Sequence, residues 1–223
     1  MYPERIKFQN EIVNTLPEIR LGLWQAKIKI QPSGPDIIQW IEKVLSDFST
    51  TYRVEDISAI PVIADTKDAY RKLGKDPSRY RPSAEALCRR IAGGKSLFRV
   101  NNAVDILNAI SISSGYSIGG YDCEKITGDV VLGIGKDMEP YQAIGRGDLN
   151  ICNLPVLRDD LGPFGSPTSD SVRTMVTDST TRFLMIFFDF SGKGDLGKAL
   201  ESTSMHYRNL ADAEDIRIAI QNV

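Results

Sequence analysis

The hydrophobic period changes along the chain, and that change constrains the fold more than any other feature. Ile37, Ile38, Ile41, Val44, Leu45 and Phe48 recur at i, i+3 and i+4, so the spacing predicts a helix with one apolar face. Asp36 stands at its start as N-cap or first-turn acid. Residues 19–30 alternate in part, with Leu21, Leu23 and Ile28, Ile30 on a period of two, which predicts an early strand ended by Pro32-Ser33-Gly34-Pro35. Residues 64–73 are expected to form a short helix ended near Gly74. Pro82-Ser83-Ala84-Glu85 opens another, stopped by Gly93-Gly94. Residues 97–100 read as a short strand and 103–111 as a buried helix. Later, residues 130–134, 141–144, 154–157, 174–176 and 183–190 read as strands punctuated by Gly, Pro, Asp and Ser. Leu196, Leu200, Thr203, Tyr207 and Leu210 return to helical spacing and close the chain. Early helices, late strands and a closing helix predict a single α+β domain over residues 1–223.

Bulk properties narrow the function. A net charge of −2 and a pI near 5.6 argue against broad non-specific nucleic-acid binding, which relies on many cations meeting phosphates. Cys88, Cys123 and Cys152 form no CxxC or Cys/His spacing, so no metal site is expected, and free thiols fit a reducing cytosol. Met1-Tyr2-Pro3-Glu4-Arg5 has no apolar signal core, and no run approaches 18 apolar residues. A cytoplasmic protein without a membrane partner is expected. Gly133-Ile134-Gly135-Lys136 lacks the length and the Ser/Thr of a phosphate loop and reads as a strand with a hairpin turn, so no cofactor is expected.

Four constellations carry chemistry, each with a plain alternative. Residues 71–99 hold nine Lys and Arg against Asp76 and Glu85. Arg71, Lys75, Arg79 and Arg81 are the candidates to bind RNA or another anion, because guanidinium groups fit oxyanions; the alternative is a solvated helical face. Asn101-Asn102, Asp105 and Asn108 place polar groups near a mostly apolar helix, either as caps and buried pairs or as ligand contacts. Residues 115–122 read as a glycine-rich turn that lets backbone approach a ligand, or as an ordinary turn. Residues 162–171 read as a surface loop over a site. His206 has no triad partner, and Asp159-Asp160 reads as loop, not metal site.

Tyr70-Arg71-Lys72-Leu73-Gly74-Lys75-Asp76-Pro77-Ser78-Arg79-Tyr80-Arg81-Pro82-Ser83-Ala84-Glu85-Ala86-Leu87 resembles the B3/B4 domain of the phenylalanyl-tRNA synthetase β subunit, in its small free-standing form. Asn101-Asn102-Ala103-Val104-Asp105-Ile106-Leu107-Asn108 resembles that domain's Val-Asp-x-x-Asn helix, and residues 115–122 its following turn. Residues 162–166 and the Phe183 strand fit more loosely, so the resemblance covers roughly residues 60–190. It implies a β-sandwich-like or mixed sheet core flanked by helices. In the synthetase this domain edits, hydrolysing tyrosine wrongly attached to phenylalanine tRNA. The resemblance therefore implies a pocket for an amino-acid-like ligand or an aminoacyl-tRNA end. Its lining would be Asn102, Asp105 and Asn108 on the helix, with Tyr116, Gly119, Gly120, Tyr121 and Asp122 in the turn. A chain of this size has no room for an aminoacylation domain.

The departures fall in the chemistry. The synthetase's Gln-Pro-x-His-Ala-Phe-Asp corresponds to Tyr116-Ser117-Ile118-Gly119-Gly120-Tyr121-Asp122, which places Gly119 at the editing histidine. The Thr before the helix Asn corresponds to Leu107, and the acid of the later strand falls within the acid-free Leu184-Met185-Ile186-Phe187. General acid/base catalysis needs a titrating group within hydrogen-bond reach, and Gly119 supplies none. The leading expectation is a binding module for an amino-acid-like ligand or aminoacyl-tRNA end. The alternatives are a free-standing trans-editing hydrolase and a structural or regulatory protein with a lost pocket.

Overall fold

The run Phe183-Leu184-Met185-Ile186-Phe187-Phe188 is buried throughout, and the layers on either side explain why. The structure, a computed structural model, describes residues 5–223. Its elements, in chain order, are β1 (Ile6–Phe8), α1 (Asn10–Thr15), β2 (Arg20–Lys27), α2 (Pro35–Thr51), α3 (Pro61–Lys72), α4 (Ser83–Ala92), α5 (Asn102–Ser114) and β3 (Ser117–Asp122). There follow β4 (Val130–Ile134), β5 (Gln142–Ala143), β6 (Gly147–Asp148), β7 (Pro155–Asp159), β8 (Gly162–Gly165), β9 (Arg182–Asp189), α6 (Leu196–Ala211) and β10 (Glu214–Asn222).

One antiparallel sheet runs β10-β2-β9-β3 and another runs β1-β4-β7-β8, with only the β1-β4 pair parallel. Side chains alternate across a strand, so β9 feeds two cores. Phe183, Met185 and Phe187 pack with Ile37, Ile41, Ile106, Ile110 and Leu200 from the helices. Leu184, Ile186 and Phe188 pack with Val130, Leu132, Leu157 and Phe164 from the second sheet. The result is a helical layer, a central sheet and a second sheet: an α+β fold with a sandwich-like core, as the sequence implies. A strand covered on both faces needs no polar alternation, which accounts for the unbroken run in β9.

The predicted helices form where their periodicity places them. Pro35 at the first turn of α2 and Pro61 at that of α3 sit where no intrahelical N–H is needed, so α3 begins three residues before the predicted start. Asn101 caps α5, its side chain accepting from Val104 N at 2.9 Å. Gly115 ends α5 at φ +77°, a left-handed conformation that glycine takes without strain.

Five expectations need correction. The glycine-rich stretch is not a turn: Ser117–Asp122 is strand β3, paired with β9 along its whole length. Part of the presumed surface loop is strand β8, and residues 164–168 are buried. Residues 97–100 join no sheet; Leu97 turns inward, and Val100 N is taken by the Asp105 carboxylate. Residues 172–174 form a 3-10 turn capped by Ser171, where a strand was expected over 174–176. The chain does not close on a helix: β10 follows α6 and pairs with β2.

Candidate functional site

β3 sits between the helical layer and the second sheet, and its two glycines face opposite ways. Gly120 faces the helices. A methyl group there would lie 2.7 Å from Leu107 Cδ1 and 3.2 Å from Phe183 Cε2, so α5 and β9 fill that side with apolar atoms. Gly119 faces the second sheet. There the Tyr121 ring folds back over its own strand, and a methyl group on either Gly119 or Gly165 would overlap the Tyr121 hydroxyl. The two glycines form the slot that holds this phenol, whose ring also packs edge-on to Phe164.

The phenol leads to a carboxylate. Tyr121 Oη donates to Asp170 Oδ1 at 2.7 Å, and Gly120 N donates to Asp170 Oδ2 at 3.0 Å. Asp170 as a whole is only partly buried, yet its carboxyl group is enclosed enough that burial governs its titration. Burial pushes it up to about 7, against the two hydrogen bonds, which pull it down. Burial, with Asp170 nearby, keeps the Tyr121 hydroxyl protonated far above neutrality. At neutral pH the pair is thus a firm donor beside a carboxyl group poised between its two forms.

Segment 166–171 holds this carboxylate in place. Tyr141 Oη donates to Ser169 O at 2.7 Å, Ser166 Oγ donates to the same carbonyl at 2.9 Å, and Tyr70 Oη lies 2.9 Å from Thr168 Oγ1. Ser83 N donates to Pro167 O at 2.8 Å, tying the start of α4 to the segment. Ile144 N donates to Asp170 O at 2.9 Å. Three buried tyrosines therefore surround one partly exposed acid. The sequence reading placed a loop over a site here but did not single out Asp170; an Asp among Ser, Thr and Pro reads as ordinary turn chemistry, and only the fold brings it to Tyr121.

This architecture can be set beside known proteins. The B3/4 domain family matches residues 65–220, more than half of the chain. The chain belongs to the B3/4 domain family. An N-terminal fragment of the phenylalanyl-tRNA synthetase β-subunit from Pyrococcus horikoshii is similar in structure, with a TM-score of 0.45 and 12% identity. The match covers 96% of this chain and 52% of that one, so the chain spans about half the fragment's length. No curated protein matches it.

Within this B3/4 domain, the positions singled out from sequence divide into three groups. Gly120 and Tyr121 bond Asp170, and Gly119 leaves the space that the Tyr121 phenol fills. Asn102, Asp105 and Asp122 are buried and bonded to the protein itself. Asn102 Oδ1 accepts from Gln31 N and Ala103 N, and its Nδ2 donates to Lys29 O. Asp105 accepts from Ser33 Oγ at 2.7 Å and Val100 N at 2.8 Å. Asp122 accepts from Thr180 Oγ1 at 2.8 Å and Glu124 N at 3.0 Å. Asn108 and Tyr116 stand apart: Asn108 is partly exposed with no hydrogen-bond partner among the described residues, and the buried Tyr116 hydroxyl has none either.

The four candidate anion-binding cations are largely engaged. Arg71 pairs with Asp68. Lys75 is buried, donates to Asn150 O at 2.9 Å and Cys152 O at 2.7 Å, and lies 3.5 Å from the Tyr80 ring centre. Burial holds its ammonium below the usual lysine range. Arg81 lies 4.0 Å from Glu85, a buried carboxylate that also takes Lys67 at 3.3 Å and Arg89 at 2.8 Å. Arg79 alone of the four is exposed with no ion pair among the described residues. His206 stacks on Trp40 at 4.4 Å, a packing role. Among the described residues, no helix is long and apolar enough to cross a membrane.

Proposed function

We propose that this B3/4-domain protein binds an amino-acid-like ligand or the aminoacyl end of a tRNA, and does not charge tRNA itself. The supporting observation is the enclosed Asp170 carboxyl, on a residue that is itself only partly buried, held by Tyr121 and Gly120 N and pushed up to about 7 by burial. The α-ammonium of an amino acid or aminoacyl ester is the complementary group, and its approach favours the ionised carboxylate. The test is a thermal-shift and calorimetric screen of the twenty amino acids and of aminoacyl-tRNAs. One of them should raise the melting temperature of the native protein and lose at least tenfold in affinity in Asp170→Asn. If none binds, the reading fails.

A hydrolase is the second reading, and the same carboxyl favours it. A general base works best with a pKa near the working pH, and Asp170 has that value where the family's histidine is replaced by Gly119. A deacylation assay on mischarged tRNA should then show a rate that rises with pH through about 7 and collapses in Asp170→Asn. The third expectation, a lost pocket, draws support on the helix-facing side of β3 alone, where Leu107 and Phe183 fill the space.

A further inference from the structure

Phe98 is 70% exposed, although it sits in a loop that the protein holds firmly. The loop leaves α4 through Gly94, at φ +74°. Lys95 N donates to Arg90 O at 3.0 Å, and Arg90 Nε donates to Ser96 O at 2.5 Å. Leu97 is buried in the helical core, which turns its neighbour Phe98 outward. Val100, 60% exposed, has its N–H fixed by Asp105 at 2.8 Å. Phe98 is thus presented on a built support. The Arg90 guanidinium lies 3.9 Å from its ring centre, extending the platform with a cation.

Along the sequence, the exposed charge on either side of the ring has one sign. Residues 86–104 contain no Asp or Glu and four cations, Arg89, Arg90, Lys95 and Arg99. Arg89 is paired with Glu85; Lys95 and Arg99 are exposed and make no ion pair among the described residues. An exposed planar ring bordered by free cations complements a partner that alternates flat apolar faces with negative charge. Single-stranded nucleic acid has that chemistry: bases stack on aromatic rings and phosphates meet Lys and Arg. A duplex hides its base faces, and an acidic protein surface offers no succession of planar groups.

We propose that the 94–100 loop binds single-stranded RNA, with a base stacked on Phe98 and phosphates at Lys95 and Arg99. The choice of RNA over DNA rests on the aminoacyl-tRNA reading above; the loop itself does not depend on Asp170. The test uses the full chain and a fluorescein-labelled 12-nucleotide oligouridylate, followed by anisotropy across a salt series. A duplex RNA, an oligothymidylate and phosphatidylserine vesicles serve as the other arms. Single-stranded RNA should bind most tightly. Phe98→Ala should weaken it at least about fivefold without moving the melting temperature, and Phe98→Trp should retain it. Lys95→Ala and Arg99→Ala should each reduce the salt slope by about 0.7. Asp170→Asn should bind the oligonucleotide normally even if it abolishes amino-acid binding, which separates failure of the earlier reading from failure of this one. The proposal is overturned by no RNA binding at low salt, by unchanged affinity in Phe98→Ala, or by duplex, DNA or vesicles binding better than the single strand.

Discussion

The two faces of β3 contrast sharply, although the strand presents a glycine to each. On the helix side, the atoms nearest to where a Gly120 side chain would stand are the apolar ends of Leu107 and Phe183. On the sandwich side, Gly119 is covered by a phenol that ends at Asp170. One glycine admits apolar packing and the other admits a functional group. The difference teaches that a glycine at position 119 does not leave empty space. Tyr121 occupies the volume that a residue-119 side chain would need, and it brings a hydroxyl with it.

Alanine substitutions break this comparison most directly. At Gly119 the added methyl overlaps the Tyr121 hydroxyl and ring carbons, which are hemmed in by Gly165 and Phe164. At Gly120 it meets the end of Leu107, a flexible side chain. Overpacking costs typically about 1–3 kcal/mol and more where neighbours cannot give way. Gly119→Ala should therefore lose about 3 kcal/mol or more by urea denaturation, and Gly120→Ala roughly half as much. Equal losses would mean that Tyr121 is not fixed in its slot.

The second way to sharpen the contrast is pH. The Asp170 carboxyl is raised in the folded protein above its unfolded value, so the folded state holds the proton more tightly. Its contribution to stability is full below about 4 and is lost as pH rises through about 7. The difference in stability between the native protein and Asp170→Asn should change across that window and be flat above it. Tyr121→Phe removes a bond that lowers the carboxyl, so it should move the midpoint of this loss upward and cost about 1 kcal/mol at pH 7.5. A midpoint near 4 would place Asp170 in water and dissolve the distinction between the faces.

Much of the fold was legible because one-sided helices and a long buried strand leave strong periodic signals. Ile37 through Phe48 and the Phe183 run are examples. β3 was not legible: Gly119-Gly120 has no side chains to alternate, so it mimics a turn. β10 was missed because Ile218 and Ile220 remain exposed and carry no burial pattern that marks them as core. In the candidate site, Gly119, Gly120 and Tyr121 were legible through the family resemblance. Asp170 was not, since its partner lies 49 residues away in sequence. Nor could sequence distinguish Asn102 and Asp105, which hold backbone, from Asn108, which holds none.

That last distinction gives the smallest effect and the cleanest separation of binding from folding. Helix α5 lies over the apolar face of β3, and its buried Asn102 and Asp105 hold backbone groups and the Ser33 hydroxyl. Asn108 is the exception, because its side chain is partly exposed and has no hydrogen-bond partner among the described residues. Asn108→Ala removes no bond and opens no buried cavity, so stability should change by no more than about 0.5 kcal/mol. If the ligand enters only by the Asp170 face, affinity should also stay within about twofold by calorimetry. A tenfold loss of affinity at unchanged stability would instead place ligand on the helix side, and the two faces of β3 would then share one pocket rim.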